Sequence, residues 1–168
     1  MKKLKVGRRH QVKARKAKEL VSKISKMLKH NCFDTADKRT KIEVIELRPK
    51  GELIILNNEA AFIQIEDEIF PTLLNTSSLD ELPSLKVDMG AVPYICNGAD
   101  IMAPGLVKID GDFTVGDVLV VVEERFSKSI AVAKALYTAK EIAEKKRGKI
   151  AKNLHYIGDA FWENLKRL

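Results

Sequence analysis

The chain has 168 residues, room for two small units with a core in each or for one ordinary domain. It is 45% hydrophobic and 32% charged, with a formal net charge of +7; no apolar run approaches the ~20 residues of a membrane span, and no apolar signal core follows the basic N-terminus. Its two cysteines, Cys32 and Cys96, are far apart and outside any C-x-x-C pattern, which argues against a disulfide framework or a zinc site and fits a reducing cytoplasm.

The charge is unevenly placed. Residues 1–31 hold twelve Lys or Arg residues against Glu19 alone, so this segment carries +11 and the remainder −4. A basic end on a mildly acidic body is the electrostatic pattern of a phosphate-backbone binder. Ala17, Leu20, Val21, Ile24, Met27 and Leu28 recur at three- and four-residue spacing and predict an amphipathic helix from about His10 to Lys29. Its other faces carry Lys13, Lys16 and Lys23 among further cations, with almost no Glu for i,i+4 pairing. The alternatives are a solvated helix face and a functional basic surface; the lack of internal pairing favours the second.

After Asp37-Lys38-Arg39 the pattern turns to strands. Ile42 to Leu47, Leu53 to Leu56 and Ala61 to Ile65 are separated by turn signals at Arg48-Pro49-Lys50-Gly51 and Asn57-Asn58, and predict an antiparallel meander. With the helix packed on it, this makes an α+β unit. The polar stretch from Asn75 to Pro83 reads as a linker.

Beyond it, Lys86-Val87 predicts a strand and Asp88 an N-cap for a helix from Met89 to Asn97, with Gly98 as its left-handed C-terminal residue. A glycine there would also bare backbone N–H groups to a phosphate or ribose. Ile101-Met102, Leu106 to Ile109, Val118 to Val122 and Ser129 to Leu136 follow as strands. Tyr137 to Lys146 reads as a short helix stopped at Arg147-Gly148, and Lys152 to Ile157 as a last strand. Many short strands with few helices suggest a small barrel.

Asp88, Gly90-Ala91, Gly98-Ala99, Ile101-Met102 and Pro104-Gly105 together resemble the opening of a PUA domain, a small RNA-binding pseudobarrel. The element order from Ser84 to Trp162 resembles the rest of that module. Ile69-Phe70-Pro71-Thr72-Leu73 before it, and Asn153 to Trp162 at its end, resemble the malignant T-cell-amplified-sequence and ligatin family with its small archaeal counterparts. The expected fold class is therefore α+β, with an N-terminal pre-PUA unit over 1–82 and a PUA pseudobarrel over 83–168.

That resemblance implies RNA binding in translation: tRNA or rRNA as ligand, and a role in initiation, re-initiation or recycling at the small ribosomal subunit. It places RNA at the helix-to-strand corner, so Gly98 and Ala99 are expected to admit close approach, with Lys86, Lys108, Arg125 and Lys128 meeting phosphates. Ligatin carries a fused SUI1-domain region; this chain ends at Leu168, so such a factor is expected in trans or not at all. Tyr94, Tyr156, Phe161 and Trp162 are expected to pack rather than stack on bases.

No catalytic function is expected. No G-x-S-x-G, Walker loop, H-E-x-x-H or dinucleotide fingerprint is present, and His10, His30 and His155 lack metal-ligand spacing, so no metal or cofactor is indicated. The rival readings are an adaptor docking a translation factor and an accessory factor in RNA modification.

Overall fold

The computed structural model describes residues 4–30, 39–49 and 51–168. Cys32, Asp37, Lys38 and Lys50 of the sequence reading lie outside them.

The described residues open with a strand: β1 (Lys5–Gln11) takes His10 and Gln11, which were expected to begin the helix, and α1 is confined to Ala14–Leu28. β1 has no apolar alternation because it is an edge strand, exposed almost throughout, and its extension is set by antiparallel pairing with β2 (Ile42–Arg48). β3 (Glu52–Leu56), β4 (Glu59–Ile65) and β5 (Glu68–Pro71) complete a five-stranded meander in chain order. Leu20, Val21, Ile24 and Leu28 of α1 pack on one face of this sheet against Ile42, Val44, Ile54 and Phe62.

The stretch expected to be a linker is instead α2 (Thr76–Glu81). The Asn75 side chain accepts from the Ser78 N–H at 3.3 Å and donates to the Ala61 carbonyl at 3.0 Å, so its polar residues serve as cap and anchor. Leu79, 3% exposed, carries the segment into the core.

The second sheet takes β6 (Ser84–Val87), β7 (Ile101–Met102), β8 (Leu106–Asp110), β9 (Val118–Glu123), β10 (Ser129–Ala135) and β11 (Lys149–Tyr156) in the order β7-β11-β10-β9-β6-β8. Only β6–β9 is a parallel pair. The sheet curls around Leu85, Val87, Ile101, Phe113, Leu119, Val121, Ile142 and Ile150 as a half-barrel. Three short helices attend it: α3 (Val92–Ile95), α4 (Ala139–Glu144) and α5 (Ala160–Leu165), the last not predicted.

The continuous apolar run of β9 has a direct explanation. Leu119 and Val121 enter the half-barrel core, while Val118 and Val120 join a second core with the outer face of the first sheet: Ile45, Leu47, Leu53, Ile55, Ile63 and Phe70. Both faces of β9 are buried, so nothing along it alternates. Pulling the sheets apart would return these side chains to water at about 1.5–3 kcal/mol for each one fully re-exposed. Lys29–Asp117, at 2.6 Å, and Lys134–Glu68 are ion pairs across the same junction.

Candidate nucleic-acid interface

The Gly98 corner is smaller and more tightly tied than the sequence suggested. Only Val92–Ile95 is helical; Asp88 caps the preceding turn, its carboxylate accepting from the Ala91 N–H at 2.8 Å. Pro93 is accommodated because it sits in the first turn, where its missing N–H costs least. Gly98 has φ +95, as a left-handed terminus requires. A Cβ there would meet the Tyr156 hydroxyl at 3.1 Å.

The expectation of bare N–H groups at this corner is corrected. The Gly98 N–H donates to the Ile95 carbonyl and the Ala99 N–H to the Tyr94 carbonyl, both at 3.0 Å. Asn153, a residue the sequence reading gave no role at the corner, holds it from behind. Its amide donates to the Ile95 and Ala99 carbonyls at 3.0 and 2.9 Å, and its backbone N–H donates to Asp100. Gly98 and Ala99 are exposed, so the corner offers a small rigid surface rather than free donors.

Lys86 and Lys108 stand directly opposite each other on β6 and β8. Such a pair brings Cβ atoms to about 5 Å, and like charges there repel. Neither lysine, nor Arg125 nor Lys128, forms an ion pair with a described residue. Lys86 pairs with Val122 on its other side, next to the end of β9 from which the Arg125–Lys128 hairpin tip projects. The structure therefore gathers Lys86, Lys108, Arg125 and Lys128 toward one end of the sheet. Burial pushes the Cys96 thiol up, and the Lys128 charge opposes it.

The hairpin tip is built on a carboxylate. Glu123, 5% exposed, accepts the N–H groups of Arg125 at 2.6 Å, Phe126 at 2.8 Å and Lys128 at 3.0 Å. The Lys128 N–H is the largest cause holding its carboxyl below the ordinary glutamate range; burial opposes it and the other two N–H groups reinforce it. Phe126 is exposed, and so is Tyr94, against the expectation that Tyr94 packs. A phenylalanine inside the charged run Glu123–Lys128 was the available signal for this feature.

The helix lysines divide differently. Lys16 lies 3.4 Å from Glu52, and Lys23 lies 3.3 Å from Glu19 and 3.9 Å from Asp67. The acidic partners missing along the helix come mostly from elsewhere in the chain, so the expectation of an unpaired face fails for these two. Lys13 is exposed, forms no ion pair with a described residue, and stands at the start of α1, which packs on the first sheet, whereas the Gly98 corner belongs to the second. Among the described residues no group of three or more His, Cys, Asp or Glu side chains could hold a metal.

A curled six-stranded half-barrel with a glycine corner and a preceding α+β sheet defines a PUA-domain protein, and the PUA domain family matches residues 83–157. Uncharacterized protein MJ1432 of Methanocaldococcus jannaschii is 38% identical over 150 residues, 87% of this chain and 92% of that one. Translation machinery-associated protein 20 of Saccharomyces cerevisiae is 29% identical over 132 residues, 74% of this chain and 73% of that one. Malignant T-cell-amplified sequence 1 of Rattus norvegicus is 26% identical over 130 residues, 74% and 71% of the two chains. Among solved structures, hypothetical protein PH0734.1 of Pyrococcus horikoshii OT3 superposes with a TM-score of 0.80 at 32% identity, covering 94% of this chain and 99% of that one. The chain belongs to the PUA-protein family that these archaeal and eukaryotic relatives share, as the resemblance drawn from its sequence implied.

Proposed function

We propose that this protein binds RNA without catalysing a reaction, and that its ligand is tRNA or ribosomal RNA met during translation. The observation that carries this reading is the Lys86–Lys108 cross-strand pair, which forms no ion pair with a described residue and lies next to the end of β9 from which the Arg125–Lys128 tip projects. Two lysines held face to face cost stability unless a polyanion comes between them. The PUA match and the similarity to a translation machinery-associated yeast protein support this reading of ligand and process. The same proposal includes the division at 82/83, action at the small ribosomal subunit in the cytoplasm, and a SUI1-domain factor as a partner in trans.

Salt dependence tests it. Each phosphate contact to single-stranded RNA contributes about 0.7 to the slope of log K against log salt, so four cations give a slope of about −2.8. Raising salt fourfold then weakens binding by roughly 50-fold. Changing Lys86, Lys108, Arg125 and Lys128 together to Gln should remove that slope in a fluorescence-anisotropy titration with tRNA. Changing Lys16 and Lys23 should leave it nearly intact, because their charges are already met. An unchanged slope in the fourfold variant refutes the site.

A further inference from the structure

Phe126 is 81% exposed and Tyr94 is 72% exposed. Single exposed apolar residues are common and by themselves mean little. These two differ in how they are held. Phe126 does not ride a loose loop: the Glu123 carboxylate accepts its N–H and those of Arg125 and Lys128, and Ser127 takes a left-handed φ of +53 to close the tip. The tip is also tied to the segment that bears Tyr94. The Glu124 carboxylate accepts from the Met89 N–H at 3.1 Å, five residues before Tyr94. The segments that bear the two rings are therefore joined at one end of the half-barrel, with Arg125 and Lys128 close to Phe126 in the chain.

From this we infer that Phe126 and Tyr94 form a stacking platform for unpaired nucleotides, and that Arg125 and Lys128 meet the phosphates between them. The inference rests on the RNA-binding reading above and narrows it. An RNA segment engaged here is single-stranded or unstacked, because the base faces of a continuous A-form duplex are occupied by their neighbours. The two acids of the tip do not oppose this. Glu123 is buried and accepts three N–H groups, and Glu124 accepts the Met89 N–H. Aromatic stacking accepts any base, so the platform selects strandedness rather than sequence.

The test compares an unstructured ten-nucleotide RNA with a blunt RNA duplex of equal length, by anisotropy, with the full chain and four variants. Phe126→Ala and Tyr94→Ala should each weaken single-strand binding by about 5- to 150-fold. They should leave both duplex affinity and the salt slope unchanged, since no charge is removed. Phe126→Trp should retain affinity and Phe126→Leu should not, which separates a ring face from a generic apolar contact. The Phe126 side chain makes none of the bonds that hold the tip, so unchanged thermal melting is the expected folding control.

Single-strand binding unaffected by Phe126→Ala, or restored by Phe126→Leu, overturns the platform. Intact RNA binding by Phe126→Ala with loss of a protein partner also overturns it, in favour of apolar docking. If these results come with a salt slope that still collapses on removing Lys86 and Lys108, the RNA-binding reading survives its narrowing. If the unsubstituted chain retains neither RNA at low salt, both fall together.

Discussion

Gly98→Ala probes the corner with a cost that can be worked from two separate causes. The first is conformational: at φ +95 a residue with a Cβ pays about 1–2 kcal/mol that glycine does not. The second is steric: the new Cβ meets the Tyr156 hydroxyl oxygen at 3.1 Å, while the next nearest atom, Cζ, is at an ordinary 3.4 Å. Tyr156→Phe removes the crowding atom and leaves the backbone term alone. For a chain of this length, about 1–2 kcal/mol lowers Tm by roughly 2–8 °C. Gly98→Ala should fall in or beyond that range. The same substitution made on Tyr156→Phe should cost less, but still at least about 1 kcal/mol. Urea and thermal denaturation of the four proteins, read as a double-mutant cycle, give both terms. A neutral Gly98→Ala would refute the left-handed corner; identical costs in both backgrounds would refute the packing of Tyr156 against it.

At the other end of the half-barrel, Thr138 accepts from the Glu141 N–H at 3.2 Å and Glu141 accepts from the Thr138 N–H at 3.0 Å, closing a capping box on α4. Thr138→Ala should cost about 1 kcal/mol and Thr138→Ser much less; faster hydrogen exchange at the Ile142 amide, which bonds the Thr138 carbonyl, reports it locally. Asp117 gives a pH prediction. Burial pushes its carboxyl up, but the hydrogen bond from Lys29, the Thr114 N–H and the Lys29 charge together hold it below the ordinary aspartate range. A depressed folded value contributes stability above the unfolded value of about 4, and that contribution is lost as pH falls through the folded one. Asp117→Asn should therefore be less stable than the parent at pH 7 and converge with it under acid, in urea midpoints measured across pH.

Much of the meander and half-barrel was legible because burial leaves a periodic trace. The α1 stripe survived as the residues that pack, and β9 was readable as a strand from its unbroken apolar run. β1 left no trace, because an exposed edge strand is defined by its partner's hydrogen bonds rather than by its own side chains. α2 was hidden for the opposite reason: Asn75, an ordinary loop former, acts there as its N-cap, and the serines lie within the helix. At the corner, composition located Gly98 but could not show that Asn153, 55 residues later, satisfies the carbonyls around it. The helix lysines show the limit of local charge counting. Lys16 finds Glu52 and Lys23 finds Asp67, acids that a window along the helix never includes.

The apolar seam between the two sheets has a mechanical consequence. Because Ile45, Leu53 and Phe70 share one interior with Val118, Val120 and Val132, the front and back of the molecule are members of a single truss. The span from Lys13 at the mouth of α1 to the lysines of β6 and β8 is then a fixed length. Any long partner that touches both must match that span like a workpiece held in a caliper, and polar residues put in place of Val118 and Val120 at the seam, rather than a looser chain at Pro83, would blunt the measurement.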